Sequence, residues 1–532
     1  MSFFKKKKNK NGNKSILNHV DERNEINKDR LKTNLKVNIE HVSQMLGNSS
    51  DLVIREIQIG KGRQVKACIF YTDGLVDTNS IQNFIMESLM TDIQSEQDLL
   101  ISSQQSILQD LKNRILAVGD IEDVTEFNSL LTSLLSGDVI LLVDGYAQGF
   151  VIGMRGGKDR GVTESTTETV VRGPKEGFTE SLRTNTALIR RKIKTPHLWL
   201  ETKKIGRETI TDVAIMYIDG IVNDDVIEEV RRRLDRIEID GILESGYIEE
   251  LIQDEVYSPF PTVYNSERPD KVAAELLEGK VAILVDGTPN VLVVPALFVS
   301  FIQAAEDYYQ RADISSLIRL LRFFSLFVAL LVPSLYIAIT TFHQEMLPTG
   351  LLISLAAQRE GVPFPAFIEA LMMEAAFEIL REASLRMPKA IAQAISIVGT
   401  LVIGSAAVEA GIVSAAMVIV VAITAISSFV LPSFAISMSI RMLRFPMMAL
   451  AASFGLFGIL IGFIALVLHL CSLRSFGVPY MSPFGPFIKE DINDTLIRIP
   501  RGKMFFRPRL ISQKNIRREE PMTRKPDDTK TP

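Results

Sequence analysis

The strongest constraint on this chain is a run of residues without a single charged side chain, Phe323–Phe342. An α-helix needs about twenty apolar residues to cross a hydrocarbon core roughly 30 Å thick, and this run has that length. Pro333 lies in its middle and predicts a kink, because proline removes one backbone hydrogen bond from a helix. The run therefore predicts a helix that crosses a lipid bilayer.

Further apolar runs lie in the same half of the chain and extend this prediction to a multi-helix transmembrane domain over residues 291–488. They are Ala390–Val408, Ile412–Leu431 and Met447–Cys471. Only Glu409, Ala410 and Gly411 separate the first two runs, which predicts a tight helical hairpin or one broken helix. Small residues recur at four-residue spacing in the last run and predict close packing against other helices: Ala451 with Gly455, and Gly458 with Gly462. The number of spans stays open between four, five and six.

One apolar segment, Phe364–Ala383, carries charges that a helix facing lipid on all sides could not carry. Each charge at the bilayer centre costs roughly 2.5 to 3.5 kcal/mol on insertion scales, whereas each Leu, Ile or Phe returns only about 0.3 to 0.6 kcal/mol. Helical periodicity places Glu374, Glu378 and Glu382 on one side of this helix with Arg381 beside them, and we call these four residues, together with Glu369 of the same segment, the acidic stripe.

Two positions of the acidic stripe are compatible with the sequence. In the first, the stripe lines a water-filled path or faces a partner subunit. In the second, the helix lies in the membrane interface with its acidic face in water.

Lys and Arg accumulate next to membrane spans on the cytoplasmic side, so their distribution predicts orientation. Lys5–Lys8, Arg319 and Arg322 place the N-terminal half in the cytoplasm. The tail Arg501–Pro532 has ten basic and four acidic residues, which favours the same side. An even number of spans satisfies both predictions.

Two further segments bear on the span count. Arg381, Arg386 and Lys389 indicate that the helix predicted for Phe364–Ala383 also crosses the membrane. Val291–Phe301 is apolar but short, which predicts a segment that re-enters the membrane or lies at its surface.

The N-terminal half contains two copies of one pattern. An internal repeat of this kind predicts two structural units of the same fold. In each copy, two apolar runs joined by a glycine-containing turn end in Asp-Gly, at Asp73-Gly74 and at Asp219-Gly220. A later apolar run ends in Asp-Gly again, at Asp144-Gly145 and at Asp286-Gly287. Charged stretches of helical period lie between these runs, Ser80–Met90 and Asp225–Ile237.

Such runs predict strands, and the stretches of 3.6-residue period predict helices. The predicted fold class is α/β plus membrane α: two tandem small α/β subdomains, residues 50–152 and 198–290, followed by the helical transmembrane domain. The Asp-Gly pairs allow a cation site, since carboxylates at strand ends often bind cations. We favour the alternative that Asp and Gly supply the chemistry of strand-ending turns.

A connector, residues 153–197, joins the two subdomains. It is rich in Gly, Thr, Arg and Glu and has no sustained period. Loops of this length without regular structure are uncommon in compact domains unless they bind something or act. The composition is compatible with an ordered interaction segment and with a flexible linker.

The chain ends and the cysteines argue against a secreted protein, a disulfide-rich protein and a thiolate metal site. Residues 1–49 are predicted to be a basic, partly disordered tail with a lead-in, and residues 489–532 a basic C-terminal tail. The segment Met1–Lys14 leads into polar sequence, so it does not predict a secretory signal. The two cysteines, Cys68 and Cys471, support neither a disulfide framework nor a thiolate metal site, and we expect both to be inert packing residues.

No nucleophile, metal or phosphate-binding constellation stands out, so the sequence predicts neither an enzyme nor a cofactor, a metal or a nucleic-acid partner. His343 and His469 lie at the ends of predicted spans, where a structural role is expected.

A series of separated segments carries a further signal. They are Arg172-Gly173-Pro174, Gly177-Phe178-Thr179-Glu180-Ser181, Asn185 and Ile189-Arg190-Arg191 in the connector, then Pro259-Phe260-Pro261, Glu267-Arg268-Pro269-Asp270, Glu306-Asp307-Tyr308-Tyr309, His343–Pro348, Arg381-Glu382-Ala383, Ser396–Gly399, Ile403-Gly404 and Ala406–Gly411. In this order, over about residues 50 to 490, the chain resembles the A subunits of the GerA family of spore germination receptors.

The resemblance implies a multi-pass protein of the inner spore membrane, made with a transporter-like B subunit and a lipoprotein C subunit. Nutrients trigger the release of monovalent cations in this family, and the resemblance implies that A subunits form a homo-oligomer and its channel. It adds candidate residues to the acidic stripe for the pore or subunit interface: Gly399, Gly404 and Glu409. It also points to candidate inter-subunit residues in the connector: Arg172, Gly173, Pro174, Phe178, Glu180, Arg190 and Arg191.

Three functions are therefore compatible with the sequence. The first is a subunit of a nutrient-gated cation channel in contact with lipid. The second is a secondary transporter, which the repeat disfavours because it lies outside the predicted membrane domain. The third is a non-conducting scaffold of the receptor.

Overall fold

The computed structural model describes residues 30–59, 65–86, 108, 112, 120–156, 168, 170–388 and 404–518. The chain divides into two compact units. The α/β unit comprises residues 1–169, 174–251 and 265–293, and the helical unit comprises residues 170–173, 252–264 and 294–532. Most of the predicted span Ala390–Val408, the candidate Gly399 and the last four residues of the stretch Ser80–Met90 lie outside the described residues.

The first repeat of the α/β unit is a five-stranded antiparallel sheet with helices α1 and α2. Its elements are α1 Leu35–Met45, β1 Leu52–Ile59, β2 Val65–Thr72, β3 Ile121–Val124, α2 Phe127–Ser136, β4 Val139–Val143 and β5 Gly149–Ile152. A short helix, Thr78–Ser80, continues into a π-helical turn, Ile81–Met86. The strand order is β1-β2-β4-β5-β3.

The second repeat has the same order of strands, β6-β7-β9-β10-β8. Its elements are α3 Leu182–Lys192, β6 Leu198–Ile205, β7 Thr211–Ile218, α4 Asp224–Asp235, α5 Ser245–Ile252, β8 Tyr264–Ser266, α6 Pro269–Leu277, β9 Val281–Val285 and β10 Val291–Val294. Asn223 caps α4 through the backbone N–H of Asp225, which helps to fix where the helix begins. The predicted pair of α/β subdomains is confirmed.

The repeat starts earlier than its apolar runs indicate, because each copy begins with a helix. The Asn38 side chain in α1 bridges the N–H and the carbonyl of Lys32, and the Asn185 side chain in α3 bridges the same groups of Thr179. The connector therefore contains the first helix of the second repeat, so part of it has the regular structure that its composition did not predict.

The Asp-Gly pairs have the turn role that we favoured and a second one. Gly145 and Gly287 adopt φ of +90° and +88°, a region in which residues with a Cβ are strained. The carboxylate of Asp144 accepts the N–H of Leu35 at 3.0 Å, and that of Asp286 accepts the N–H of Leu182 at 3.0 Å. Each aspartate thus caps the helix that opens its own repeat.

Both sheets bury aliphatic side chains on their two faces, so their central strands are almost uniformly apolar. Every residue of β4 and β9 is buried. Cys68 in β2 has 0% exposure, and burial raises the pKa of its thiol to about 12, in keeping with an inert packing residue. Val291–Val294 is the strand β10 rather than a segment at the membrane, so that prediction was wrong: its apolar character serves the second sheet.

The helical unit contains six labelled helices among its described residues. They are α7 Ala312–Phe342, α8 Thr349–Arg359, α9 Ala366–Arg386, α10 Gly404–Glu409, α11 Ala415–Phe429 and α12 Phe434–Ser472. A two-stranded ribbon, β11 Arg474–Ser475 and β12 Val478–Pro479, follows. Among the described residues, α7 and α12 are long and apolar enough to cross a membrane, and α11 is a shorter apolar helix.

Helix α12 is a hairpin, not one rod. Gly455 interrupts it with φ 61° and ψ −141°, a conformation that only glycine adopts readily. A Cβ on Gly462 would lie 2.6 Å from the sulfur of Met447, although fifteen residues of straight helix would span about 22 Å. The predicted single span Met447–Cys471 was therefore wrong, because the chain reverses at Gly455 within it. The small residues of this run let one arm of the hairpin pack closely against the other.

The hairpin defines two ends of the helical unit. Its tip lies against the C-terminus of α7, since a Cβ on Gly455 would be 2.8 Å from Cε1 of His343. Its two arms both end beside the segment that carries Ser258 and Pro259: His469 contacts Ser258, and Ser439 donates to the Pro259 carbonyl. We call the end with the tip the far end and the other the near end.

The C-terminal residues return to the near end, where α7 begins. The backbone N–H of Arg498 donates to Oγ of Ser316, and Asp494 pairs with Arg319. Cys471, at the end of the second arm, is exposed rather than packed, contrary to the prediction.

Candidate functional site

The acidic stripe lies on α9, which runs from the far end to the near end of the helical unit. The helix begins after Pro365 and stops at Met387, whose backbone is extended because Pro388 follows it. The stripe does not lie along one surface, since its members fall into three different surroundings.

Glu369, at the far end, has 0% exposure and joins three segments of the chain. Its Oε1 accepts from Nε of Arg359 at 3.2 Å, and its Oε2 accepts from the backbone N–H and Oγ of Ser414 at 3.1 and 2.9 Å. Ser414 also caps α11 through the N–H of Met417. This carboxylate therefore holds the start of α11 against α8 and α9.

Glu374 and Glu378 pair with two arginines of α12. Glu374, also fully buried, accepts from Nη1 of Arg444, whose Nε donates to the Ala329 carbonyl of α7 at 2.8 Å. Glu378 accepts from both Nε and Nη2 of Arg441. The two arginines face α9 together because side chains three residues apart share one side of a helix.

Arg381 and Glu382 occupy the near end of α9. The Arg381 guanidinium lies over the rings of Phe429 and Phe434, at 5.1 and 5.8 Å from their centroids. Glu382 is exposed and pairs with Arg386 one turn along the same helix. Only this last pair has the surroundings of a solvent-facing amphipathic helix.

The observed burial differs from the second position that the sequence allowed for the stripe, a helix with its acidic face in water. A helix with its acidic face in water would expose Glu369 and Glu374, yet both are enclosed by their own chain. Ionised carboxylates at such sites need a counter-charge, because the cost of removing a charge from water is several kcal/mol. The sequence reading missed that counter-charge, although Arg441 and Arg444 stand three residues apart in a long apolar run.

The remaining candidates of the membrane half lie around a chain reversal. Gly404 is buried at the start of α10, and Glu409 is exposed at its end. Gly411 then adopts φ of +65°, and a Cβ there would lie 3.0 Å from the Gly361 carbonyl. The helix is thus broken between the two predicted runs, as the spacing indicated.

Connector residues that belong to the α/β unit are ordered by its two repeats. Arg190 is 1% exposed and forms a bidentate pair with Asp51 of the first repeat, at 2.7 and 2.9 Å. Phe178 is buried, and its N–H donates to the Glu267 carbonyl at 2.7 Å. The Pro174 carbonyl accepts from Arg268. Glu180 is exposed, and its carbonyl accepts from the N–H of Gly287.

Two other connector candidates, Arg172 and Gly173, belong to the helical unit. The Arg172 side chain is exposed, while its backbone N–H lies 3.4 Å from a carboxylate oxygen of Glu306. Gly173 adopts φ of +133°, and a Cβ there would lie 2.6 Å from the ring of Tyr309. Arg191, in α3, is half-buried.

A buried ionic cluster at the near end was not predicted. Arg319 and Arg322, on α7, both pair with Asp307, at 2.9 and 2.8 Å. Nη1 of Arg319 also donates to the side chain and carbonyl of Asp494, at 2.9 and 2.7 Å. Tyr308 donates to Asp494 at 2.8 Å.

This cluster weakens the orientation argument from sequence. Arg319 and Arg322 were counted as free positive charges beside a span, yet they are 0% and 7% exposed, and Asp307 and Asp494 neutralise them. A cation that is paired inside the protein does not report which side of a membrane its helix begins on.

Metal chemistry finds no support in the geometry. Within the described ranges, no three His, Cys, Asp or Glu side chains come together as ligands. The arrangement can instead hold helices in register through buried ion pairs.

Comparison with known proteins gives a consistent result. A family model described as Bacillus/Clostridium GerA spore germination protein matches residues 40–510. The chain is 49% identical to spore germination protein KA of Bacillus subtilis (strain 168) over 485 residues, which is 91% of this chain and 88% of that protein. It is 38% identical to spore germination protein GerLA of Bacillus cereus, over 91% of this chain and 97% of that protein.

Two more relatives add to these. The uncharacterized membrane protein YfkQ of Bacillus subtilis (strain 168) is 46% identical, over 93% of this chain and 96% of that protein. A crystal structure of the N-terminal domain of the A subunit of the Bacillus megaterium spore germinant receptor GerK3 is 46% identical, covers 51% of this chain and 98% of that chain, and has a TM-score of 0.41.

Proposed function

The chain belongs to the GerA family of Bacillus and Clostridium spore germination proteins, and from that premise we propose that it is the A subunit of a germinant receptor in the inner spore membrane. One observation carries the membrane part of the proposal: the helical unit has charged side chains inside and large apolar side chains outside.

The outer faces of its helices are those expected of lipid contact. On α7, the side chains of Leu317, Leu321 and Phe324 are 70%, 53% and 66% exposed, at the spacing of one helix face. Similar faces occur on α11 and on the second arm of α12: Ile419, Ile423 and Ile426, and Phe457, Ile461, Ile464 and Leu468. Apolar surface of this extent is costly in water but favourable in a bilayer.

The same helices support a topology of six crossings. Helix α7 runs from the near to the far end, α9 and α11 run back, and the two arms of α12 add one crossing each. We add a sixth crossing to the proposed topology because Arg386 lies at the near end and Gly411 at the far end. An even number leaves both chain ends on one side, which we propose is the cytoplasmic side.

For the activity, we propose that assembled A subunits form a cation channel gated by germinant. In this account, a transporter-like B subunit binds the nutrient, a lipoprotein C subunit completes the receptor, and the helical units of several A subunits surround the path. The family membership supports this proposal, and the conducting residues are expected among those that line the assembled subunits.

A scaffold is the second candidate, and the pairing of the acidic stripe favours it. In the described part of a single chain, the three inner glutamates are neutralised by Arg359, Arg444 and Arg441. No carboxylate of this group is left to attract a cation unless a pair opens. A scaffold would keep the same pairs closed in every state.

Reconstitution separates the two functions. The full chain is incorporated into vesicles loaded with a potassium-sensitive dye, alone and together with its B and C partners. We expect germinant-dependent potassium flux in the complete receptor, and loss of flux when the A subunit is left out. Flux that is equal with and without the A subunit, in vesicles shown to contain the B and C subunits, would leave only the scaffold.

A further inference from the structure

The ion pairs between α9 and α12 leave charge and hydrogen-bonding capacity unused inside the helical unit. We call this set the arginine cluster: Arg381, Arg441 and Arg444, with Glu374 and Glu378. Arg381 follows Glu378 by three residues on α9, so the two side chains lie on the same side of that helix, the side on which Glu378 pairs with Arg441. Three arginines face two glutamates, which leaves one positive charge without a counter-charge.

The neighbouring charges do not supply the missing one. Glu369 accepts from Arg359 and Ser414, so its charge is already matched. Glu382 is exposed and paired with Arg386. Within the described residues, the surplus therefore belongs to the arginine cluster itself.

The same cluster contains polar atoms that lack partners. Nη2 of Arg444, Nη1 of Arg441 and Nη1 of Arg381 are buried and have no hydrogen-bond partner among the described residues. Arg444 and Arg441 are 1% and 8% exposed, so water from outside does not reach their side chains freely, whereas Arg381 is half-buried. Oε1 of Glu374 is the one acceptor left unpartnered in the same group.

An anion fits this arrangement better than water alone. Water molecules could satisfy the free N–H groups and the Glu374 oxygen, but they would not neutralise the surplus charge. An uncompensated charge in an apolar interior costs several kcal/mol, and a negative ion accepting from guanidinium N–H groups offsets that cost. The free N–H groups belong to side chains of two helices joined by ion pairs, α9 and α12, so the ion must be small.

We propose that the arginine cluster binds one small monovalent inorganic anion of the size of chloride. The anion accepts from the free guanidinium N–H groups and fixes α9 against α12. This inference goes beyond the proposed receptor function and does not depend on cation conduction.

The test is equilibrium binding of radioactive chloride to the full chain in detergent, with gluconate as a bulky anion that keeps ionic strength constant. We expect saturable binding of one chloride per chain, together with a higher midpoint of thermal unfolding in chloride than in gluconate. Arg381→Gln should abolish both effects, because it removes the surplus charge. Arg381→Lys, which keeps the charge, should retain them.

A second variant guards against a folding defect in Arg381→Gln. Glu378→Gln raises the surplus to two charges, so it should lower the half-saturating chloride concentration at least about fivefold. Arg386→Gln, outside the cluster, should bind chloride as the wild type does. The proposal fails if wild-type protein binds no chloride saturably, if Arg381→Gln binds it unchanged, or if Glu378→Gln binds it more weakly; the first outcome would mean that water alone fills the site.

Discussion

In the α/β unit, the strands Val139–Val143 and Val281–Val285 are buried along their whole length, whereas in the helical unit Arg319, Arg444, Glu369 and Glu374 are among the most deeply buried side chains. The outer surfaces are reversed in the same way. Helix α4 turns charged residues outward, while α7 exposes Leu317 and Phe324. The first pattern is the one expected of a unit surrounded by water, and the second is the one expected of a unit surrounded by lipid.

The buried ion pairs of the two units also differ in whether all their polar atoms have hydrogen-bond partners. In the α/β unit, Arg190 meets Asp51 in a bidentate pair and also donates to the Leu198 carbonyl, so its charge is matched. In the helical unit, Arg444 and Glu374 each keep one polar atom without a described partner. The Arg190–Asp51 pair joins the two repeats. The Arg444–Glu374 pair keeps one donor and one acceptor with which a further partner could form hydrogen bonds.

The largest expected effect comes from breaking a buried pair in the helical unit. Arg444→Met leaves the Glu374 carboxylate without its counter-charge and should lower the free energy of unfolding by about 3–5 kcal/mol. Chemical unfolding of the detergent-solubilised chain measures it. Arg386→Met removes an exposed pair and should cost less than about 0.5 kcal/mol. Equal losses from both variants would contradict the buried pair.

The second prediction concerns two exposed apolar residues, one in each unit, that are each replaced by lysine. Phe324 and Leu243 are 66% and 69% exposed, in the helical and α/β units respectively. Phe324→Lys should reduce membrane insertion by up to about 3 kcal/mol, because a lysine would face hydrocarbon. Leu243→Lys should have almost no effect, because its side chain already faces water. The fraction of chain in alkali-washed membranes gives the readout, and equal behaviour of the variants would count against lipid on the α7 face.

The third prediction concerns the hairpin that distinguishes α12 from a single span. Gly455→Ala should destabilise the protein by about 1–3 kcal/mol, because Ala is strained at this φ and ψ and its Cβ would press on His343. Gly350→Ala, in α8, has open space around the new Cβ and should be neutral or slightly stabilising. The midpoints of thermal unfolding of both variants give the readout. A Gly455→Ala variant as stable as the wild type would contradict a chain reversal at Gly455.

The smallest expected effect tests the equivalence of the two repeats. Asp144→Ala and Asp286→Ala each remove one cap from the helix that opens a repeat, and each should cost about 1 kcal/mol. Trp199, the single tryptophan, lies in β6 and reports unfolding of the α/β unit alone. Asn290→Ala, beyond the second Asp-Gly turn, serves as a nearby control. A large loss from one aspartate and none from the other would refute equivalent roles.

Sequence reasoning succeeded where a short-range pattern determines the structure. The strands follow from β-branched runs ending in Asp-Gly, and the repeat is visible because both copies keep those pairs. The run Phe323–Phe342 lies inside α7 as expected. In each case, the residues that specify the element are neighbours along the chain.

The misses arise from contacts between distant residues. Periodicity placed Glu374 and Glu378 on one side of a helix, but nothing local shows that Arg444 and Arg441, 70 and 63 residues further along the chain, pair with them. An uninterrupted apolar run likewise gives no sign of the reversal, because the sequence does not show that Gly455 has non-helical backbone angles. Arg319 and Arg322 misled the orientation argument because Asp307 and Asp494 neutralise them, and a rule that counts Lys and Arg beside spans does not include such ion pairs.

The most direct test of the two-environment account measures which solvent reaches the outer faces of the helical unit. Single cysteines are placed at Leu321, Phe324, Ile423, Phe457 and Leu243 in a chain whose exposed Cys471 has been changed to serine, and a spin label is attached to each. The account predicts that, in vesicles, the first four labels collide with oxygen dissolved in lipid far more than with a water-soluble nickel complex, and that the label at Leu243 behaves oppositely. Free access of the nickel complex to Phe324 and Ile423 would contradict it.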